Sequence, residues 1–585
     1  MALLAGSFGL IPWILPVLGQ APLGGLLIVL AAAGACVAAI TAHHRLGSPP
    51  LYWSGYDLAA LAFFTWIGAS IHLGEVPEAT WLKAPLIACN LAAWLVGRLT
   101  GWRRFALLCW MFVGGCLIAA FGHEATTPLA PGLIESGVDL GLLTGRFGGG
   151  GPAFLIMAVV LGLCVFLFQT IRRPPAGMGG LLVLCCLGFA AILIYPLVLG
   201  FEDQDETRRL LTEGWRQSFA LFQNYPLAGV GYGAWGTVAM AWSHGRGVIP
   251  PPAGDFTVVL LELGIPGLLL LAGLWFLLPW SAWQARHTYP FRRMRLAVGL
   301  IQAALVLLAL LAFVGFDIIT GSLSVLFWAL IGTLAGMVQI RDPARAFGDS
   351  QIVMGPAKKA AWISTGLRLG ITAAVLFLSA LPSVGFFIAG NSPPAPEQIR
   401  RLERAVALFP QSADLQMRLA ESLQMQTRQS GLLIPDVLTA AKVDNALQAA
   451  IRGNPYRPAN HEALYYWHRD SNDPDRALAT IRSGVRYNPA SLELRLLLVR
   501  ELERNGSLAL ATHHLKQAAL RSTGPNQATL MLQLAEIYEQ RGLREQARRW
   551  WQYAQQIEDP SAQTQSRLRR LGERLALLDP QAGPR

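Results

Sequence analysis

The chain has 585 residues, 53% of them hydrophobic and 14% charged, with a mean hydropathy of +0.41. A soluble domain carries about 25% charged residues, so this is no ordinary soluble enzyme. The net charge of +11 divides into about 21 basic and 16 acidic residues in 1–390, mostly between apolar runs, and about 26 and 20 in 391–585. No single basic patch stands out, which argues against a nucleic-acid partner.

A membrane-spanning helix takes about 20 mostly apolar residues. Runs of that kind lie at 7–20, 22–42, 57–74, 82–98, 104–122, 152–171, 178–200, 255–280, 295–315, 319–340 and 367–389. The first run is short, and it lacks the basic leader and cleavage site of a removable signal peptide. The seven cysteines (Cys36, Cys89, Cys109, Cys116, Cys164, Cys185 and Cys186) all fall inside these runs with no CxxC or zinc spacing. They read as small buried hydrophobes, and neither a metal nor a cofactor is expected.

Loop charges set the expected orientation. Fifteen basic residues occupy one set of alternate loops, among them Arg45, Arg98, Arg103, Arg172, Arg286, Arg341 and Lys358. Six occupy the other: Lys83, Arg146, Arg208, Arg209, Arg216 and Arg246. The richer set is expected in the cytoplasm, with the N-terminus. The 201–254 loop and everything after 390 then face outward, into a bacterial periplasm.

Two outward segments carry chemistry. Thr144-Gly145-Arg146 precedes a glycine run at the start of a spanning helix. A guanidinium beside exposed backbone N–H groups suits a phosphate or diphosphate. The 201–254 loop holds Arg208, Arg209, Trp215 and Arg216, then Pro226-Leu227-Ala228-Gly229-Val230-Gly231-Tyr232-Gly233, then His244 and Arg246. The chain re-enters the membrane as Asp255-Phe256, followed by Glu262-Leu263-Gly264-Ile265-Pro266-Gly267. The glycine triplet follows no predicted strand, which removes a dinucleotide-binding reading.

The ordered set is similar to the O-antigen ligase and polymerase family, multi-spanning bacterial enzymes that take glycans from undecaprenyl diphosphate on the periplasmic face. The matching features are a Trp, Pro-x-x-Gly-x-Gly-x-Gly eleven residues later, and Asp-Phe with Glu-x-Gly-x-x-Gly on the next helix. Phe316-Asp317 resembles the family's late outer-face Asp. Where the family has His-Asn before the Asp, this chain has Ala253-Gly254, and His244 lies nine residues upstream of Ala253.

The resemblance implies metal-independent transfer of a polyprenyl-diphosphate-linked saccharide. A diphosphate is a good leaving group, so the needs are charge neutralisation and acceptor positioning. Asp255, His244 and Arg209 are the candidate catalytic residues. Arg146, Arg208, Arg216, Arg246 and Asp317 are candidates for substrate binding. Pro226, Gly229, Gly231, Gly233, Glu262, Gly264 and Gly267 are expected to shape the site, with Glu262 on the helical face of Asp255 but deeper and structural. A catalytically degenerate scaffold in a polysaccharide or secretion assembly is the alternative. A transporter fits less well, because the polar residues gather at the outer face rather than the midplane.

After residue 390 prolines recur at Pro410, Pro455, Pro489, Pro525 and Pro560, with gaps of 45, 34, 36 and 35. A period near 34 is that of tetratricopeptide repeats. The clearest copy runs Leu532, Ala535, Tyr538, Gly542, Ala547, Trp551, Ala554, Pro560, and the long gap holds an insertion around 425–442. The expected fold is all-α: a polytopic bundle of 11–12 spanning helices over 1–390, then a helical-hairpin, tetratricopeptide-like solenoid over 391–585. Membrane lipid would surround the first part, and a protein or glycan partner would bind the second.

Overall fold

The structure, a computed structural model, describes residues 33, 36, 54–100, 218–242, 255–284, 292–314, 324–341, 357–390, 396–429, 437–522, 524–557 and 562–577. Among these residues the regular elements are all helical. They fall into two compact units. The first comprises Met1–Trp235, Pro250–Ser392 and Arg400–Pro410; the second comprises Gly236–Ile249, Pro393–Ile399 and Gln411–Arg585.

The first unit contains α1 (Gly55–Leu73), α2 (Pro77–Leu82) and α3 (Ala84–Thr100). The first residue of α4 (Trp235–Trp242) also belongs to it. α5 (Asp255–Ala272) continues through a π-helical turn (Gly273–Leu277) into α6 (Leu278–Gln284). α7 (Arg292–Val314), α8 (Ser324–Arg341) and α9 (Ala357–Ala389) follow. Three stretches among the described residues are long and apolar enough to cross a membrane: Gly55–Leu73, Asp255–Gln284 and Gly370–Ala389. Shorter apolar helices occupy Ala84–Arg98, Arg295–Val306 and Phe327–Val338. The expected runs at 7–20, 104–122, 152–171 and 178–200 lie outside the described residues, as do Cys109, Cys116, Cys164, Cys185 and Cys186. Cys36 and Cys89 are buried. Phe276, Trp280, Phe377 and Phe387 point outward from the unit, as large apolar side chains do on a lipid-facing surface.

Close packing of α3 against α8 follows from small residues. A Cβ added at Gly332 would sit 2.3 Å from the Trp94 carbonyl oxygen, and one at Gly97 2.3 Å from that of Ala329. Gly336 faces the Arg98 carbonyl from the next turn. Gly332 and Gly336 thus form the small-xxx-small stripe that lets two apolar helices approach backbone to backbone. Beside this contact a continuous aromatic series fills the core. Phe63 and Phe64 from α1 and Trp94 from α3 surround Trp328, whose neighbour Phe327 packs on Trp275 at 4.4 Å, with Phe256 beyond. Trp275 lies in the π-helical turn, where the extra residue shifts the register of the apolar face.

Arg98 corrects the reading of its charge as a topological loop residue. Its side chain is fully buried and grips Asp57 bidentately, Nε to Oδ1 at 2.9 Å and Nη2 to Oδ2 at 2.7 Å. Ser54 completes the group. Asp57 Oδ2 accepts from the Ser54 backbone N–H and hydroxyl, and the Ser54 Oγ accepts from Asp57 N–H and from Arg98 Nη2. The ion pair is therefore built on the capping box that starts α1.

The second unit is a succession of helices, each packed on the next: α11 (Ala413–Gln429), α12 (Val437–Gly453), α13 (Pro458–Asp470), α14 (Pro474–Tyr487), α15 (Leu492–Arg504), α16 (Leu508–Arg521), α17 (Gly524–Gln540), α18 (Arg544–Gln555) and α19 (Ala562–Leu577). α10 (Pro396–Leu408) precedes them, and its Arg400–Leu408 portion packs with the first unit. Three connections share one geometry. Asn472, Gly506 and Gly542 have positive φ, and the following N–H bonds back to the carbonyl five residues earlier (Asp473 to His468, Ser507 to Leu502, Leu543 to Tyr538). This is the Schellman termination, which satisfies the last helical carbonyls. Ala477, Ala535, Ala547 and Ala554 are fully buried where helices meet. The Pro455 carbonyl accepts from Asn488 Nδ2 at 3.1 Å and lies 2.9 Å from His461 Nε2, so the residues that mark the period also anchor one pair of helices to the next.

Burial pushes His461, His468 and His514 below the ordinary histidine value of 6.5. A histidine kept neutral by the fold contributes stability that is full above about pH 6.5 and is lost as the pH falls through its folded value. Glu462, pushed up by burial and by Glu493, acts in the opposite sense. The test is thus a comparison of variants. His461→Gln should narrow the loss of denaturant midpoint between about pH 7.5 and pH 5.5. An unchanged loss assigns it to other groups.

Candidate functional site

The two glycine motifs, some thirty residues apart in sequence, lock together at one end of the first unit. α5 does not run straight. At Gly264 the backbone leaves the helical region (φ 68°, ψ −170°), and Pro266 follows. The expected apolar run over 255–280 is present within Asp255–Gln284, but its helix breaks at Gly264, and the reason is hydrogen bonding. In a continuous helix the Glu262 carbonyl would accept from residue 266, which is proline and has no N–H. In apolar surroundings an orphaned carbonyl is costly, so another donor must replace it.

The 225–233 loop supplies that donor and its neighbour. Val230 N–H bonds to the Leu261 carbonyl at 2.9 Å and Gly231 N–H to that of Glu262 at 3.0 Å. In return, Ile265 N–H turns to the Pro226 carbonyl at 3.0 Å. Trp66 Nε1 on α1 donates to the Leu263 carbonyl at 2.8 Å. On its other side, the loop is tied to the α1–α2 connection, with Glu75 N–H donating to the Val230 carbonyl at 3.0 Å. Gly229, Gly231 and Gly233 all have positive φ. The requirement is sharpest at Gly229, where a Cβ would lie 2.3 Å from the Glu262 carbonyl carbon and oxygen.

Both acidic residues of the motif are buried. Asp255, the first residue of α5, is 1% exposed and Glu262 is 3% exposed. Glu262 Oε1 accepts from the Trp235 backbone N–H at 3.1 Å, holding the chain just after the glycine triplet. A carboxylate so engaged positions the backbone at Trp235. Asp255 sits at the mouth of the same helix, where a carboxylate complements the positive end of the helix dipole.

The structure therefore brings together Pro226, Gly229, Gly231, Gly233, Glu262 and Gly264, with Asp255 at the first residue of the helix that carries Glu262. Gly267 lies one turn beyond the break, over the Leu263 side chain. Arg146, Arg208, Arg209, Arg216, His244, Arg246 and Asp317, with Ala253 and Gly254, lie outside the described residues. Of the six outward basic residues, Lys83 is described: its stem runs beside Gly233, with Cγ 2.7 Å from where a Cβ would stand. Sequence reasoning missed Trp66 and Ser70 as members of this end. Ser70 Oγ accepts from Tyr232 N–H at 3.4 Å. Nothing local marks either residue, since a Trp and a Ser within an apolar run read as interface and filler.

No family model matches this sequence, and no curated protein matches it. The case for function lies in the chain's own residues.

Proposed function

We propose that the protein is a glycosyltransferase of the ligase or polymerase kind, acting on a polyprenyl-diphosphate-linked saccharide at the outer face of a bacterial inner membrane. The observation that supports this most is the interlock of Pro226–Gly233 with Leu261–Gly264. It gives the shared motif order a physical meaning, and the helix that it braces begins with the buried Asp255. In this reading Arg146, Arg208, Arg209, Arg216 and Arg246 neutralise the diphosphate, because guanidinium groups pair bidentately with phosphate oxygens. Asp255, with His244 as a second candidate, orients the acceptor hydroxyl and takes its proton as the anomeric C–O bond to diphosphate breaks, and Asp317 contributes to substrate binding. The second unit is a tetratricopeptide-like array on the same side of the membrane, and it binds a protein or glycan partner.

Arg146→Ala and Arg209→Ala should each abolish glycan transfer while leaving membrane insertion intact, measured by labelled-glycan transfer and by membrane fractionation. Full activity in both variants defeats the diphosphate clamp.

Ala253-Gly254, in place of the resembled family's His-Asn, supports a second reading as a non-catalytic scaffold. The lipid-linked glycan pool of a deletion strain separates the two. Accumulated single units indicate a polymerase, accumulated polymer a ligase, and an unchanged pool a scaffold.

A further inference from the structure

The second unit carries a cationic node with more charge than its packing requires. The Glu501 carboxylate is 1% exposed, and its Oε1 accepts from the Tyr465 hydroxyl at 2.7 Å and from Arg504 Nη1 at 2.6 Å. Arg469 Nη1 lies 3.4 Å from the same oxygen. Burial and the Glu501 carboxylate push the Tyr465 hydroxyl up to about 12, so it stays protonated and donates. α13 and α15 are thus pinned through a single oxygen atom.

One arginine would neutralise that carboxylate. The second adds like-charge repulsion at close range. Arg500, one turn before Arg504 on α15, is exposed and adds a third positive charge. Apart from Glu501, neither Arg469 nor Arg504 has an ion-pair partner among the described residues, and Arg500 has none there. Their side chains are 36% and 50% exposed, so both remain within reach of solvent. The exposed ring of Tyr466 lies three residues before Arg469 on the same helical surface and stands edge-on to Tyr465.

We infer that Arg469, Arg500, Arg504 and Tyr466 form a binding site for a carboxylate-bearing glycan. The guanidinium forks match a sugar carboxylate bidentately. The Tyr466 ring offers a flat apolar face to the C–H side of a pyranose, and its hydroxyl remains available to the sugar's own hydroxyls. An acidic peptide would satisfy the arginines but would leave the aromatic face without a purpose. This inference rests on the glycan-handling reading above and deepens it by naming the saccharide class as acidic.

The experiment is a calorimetric titration of the purified full chain in nanodiscs with a hexamer of galacturonic acid. Maltohexaose and hexaglutamate serve as the neutral and peptidic comparators. The uronate hexamer should bind, with affinity falling as salt rises, and both comparators should bind at least about tenfold more weakly. Arg469→Ala and Arg504→Ala should each weaken uronate binding about tenfold or more. Because these two also touch Glu501, Arg500→Ala and Tyr466→Ala test the site at exposed positions, and each should weaken binding several-fold with an unchanged melting temperature. No uronate binding, equal maltohexaose binding, tighter hexaglutamate binding, or insensitivity to Arg500→Ala and Tyr466→Ala overturns the inference. Undecaprenyl diphosphate binding in the same preparation reports separately on the transfer reading, so the two can fail independently.

Discussion

Alanine at Gly264 will pull the two glycine motifs apart and end glycan transfer. Two costs combine. A residue with a Cβ held at φ 68°, ψ −170°, a region essentially reserved to glycine, costs about 1–3 kcal/mol. In addition, the new Cβ would stand 2.2 Å from the Leu227 carbonyl oxygen and 2.5 Å from its carbon, so the loop must move. Movement breaks the Val230, Gly231 and Ile265 hydrogen bonds in apolar surroundings, where each orphaned group is expensive. Gly229→Ala meets the mirror-image obstacle against the Glu262 backbone and should behave alike. Gly236, with open space where its Cβ would go, provides the control. Gly236→Ala should be neutral or stabilise by about 0.5–1 kcal/mol, because alanine favours the helix. Size-exclusion profiles in detergent, thermal unfolding and a transfer assay read the outcome. A Gly264→Ala protein with native stability and activity would show that the interlock does not govern the site.

The second large effect concerns the ion pair at the capping box of α1. Arg98→Ala strands a buried Asp57 carboxylate and should cost about 3–5 kcal/mol. Asp57→Ala should cost a similar amount by stranding the guanidinium. The double substitution Asp57→Leu with Arg98→Met removes both charges. It should return most of the lost stability or exceed the wild type, because buried pairs repay their desolvation poorly. Thermal unfolding of the three variants in detergent decides it. If the double variant is as unstable as either single one, the loss comes from packing around Arg98 and not from the charges. A stable but inactive double variant would give the pair a role beyond holding α1 to α3.

Much of this was legible in the residues. Apolar runs at 57–74, 255–280 and 367–389 announced helices because hydropathy is a local property summed along the chain. The period of the prolines and small residues announced the tail for a similar reason. A helix pair recurring every 34 to 36 residues needs a left-handed residue at the turn, and Gly506 and Gly542 supply it. The third turn uses Asn472, one of the few non-glycine residues that tolerate this conformation, so a search for glycine alone passes over it.

Other features left no local trace. Arg98 reads as a boundary charge because its neighbours in sequence are loop arginines, yet its partner Asp57 is forty-one residues away on another helix. Nothing in the sequence around Trp66 marks it, yet its indole N–H satisfies a carbonyl on α5.

Composition and spacing by themselves determined the helical character of the described residues, an apolar first part, a recurring proline spacing in the second part and a set of glycines and carboxylates in a telling order. The tertiary structure alone decided that Gly229–Gly233 faces Leu261–Gly264, because Pro266 removes a donor and only a distant loop can replace it. Hydropathy and periodicity act on one residue at a time, whereas an exchanged hydrogen bond or a buried ion pair exists only between two. The partner of each such group becomes visible only when the chain is folded.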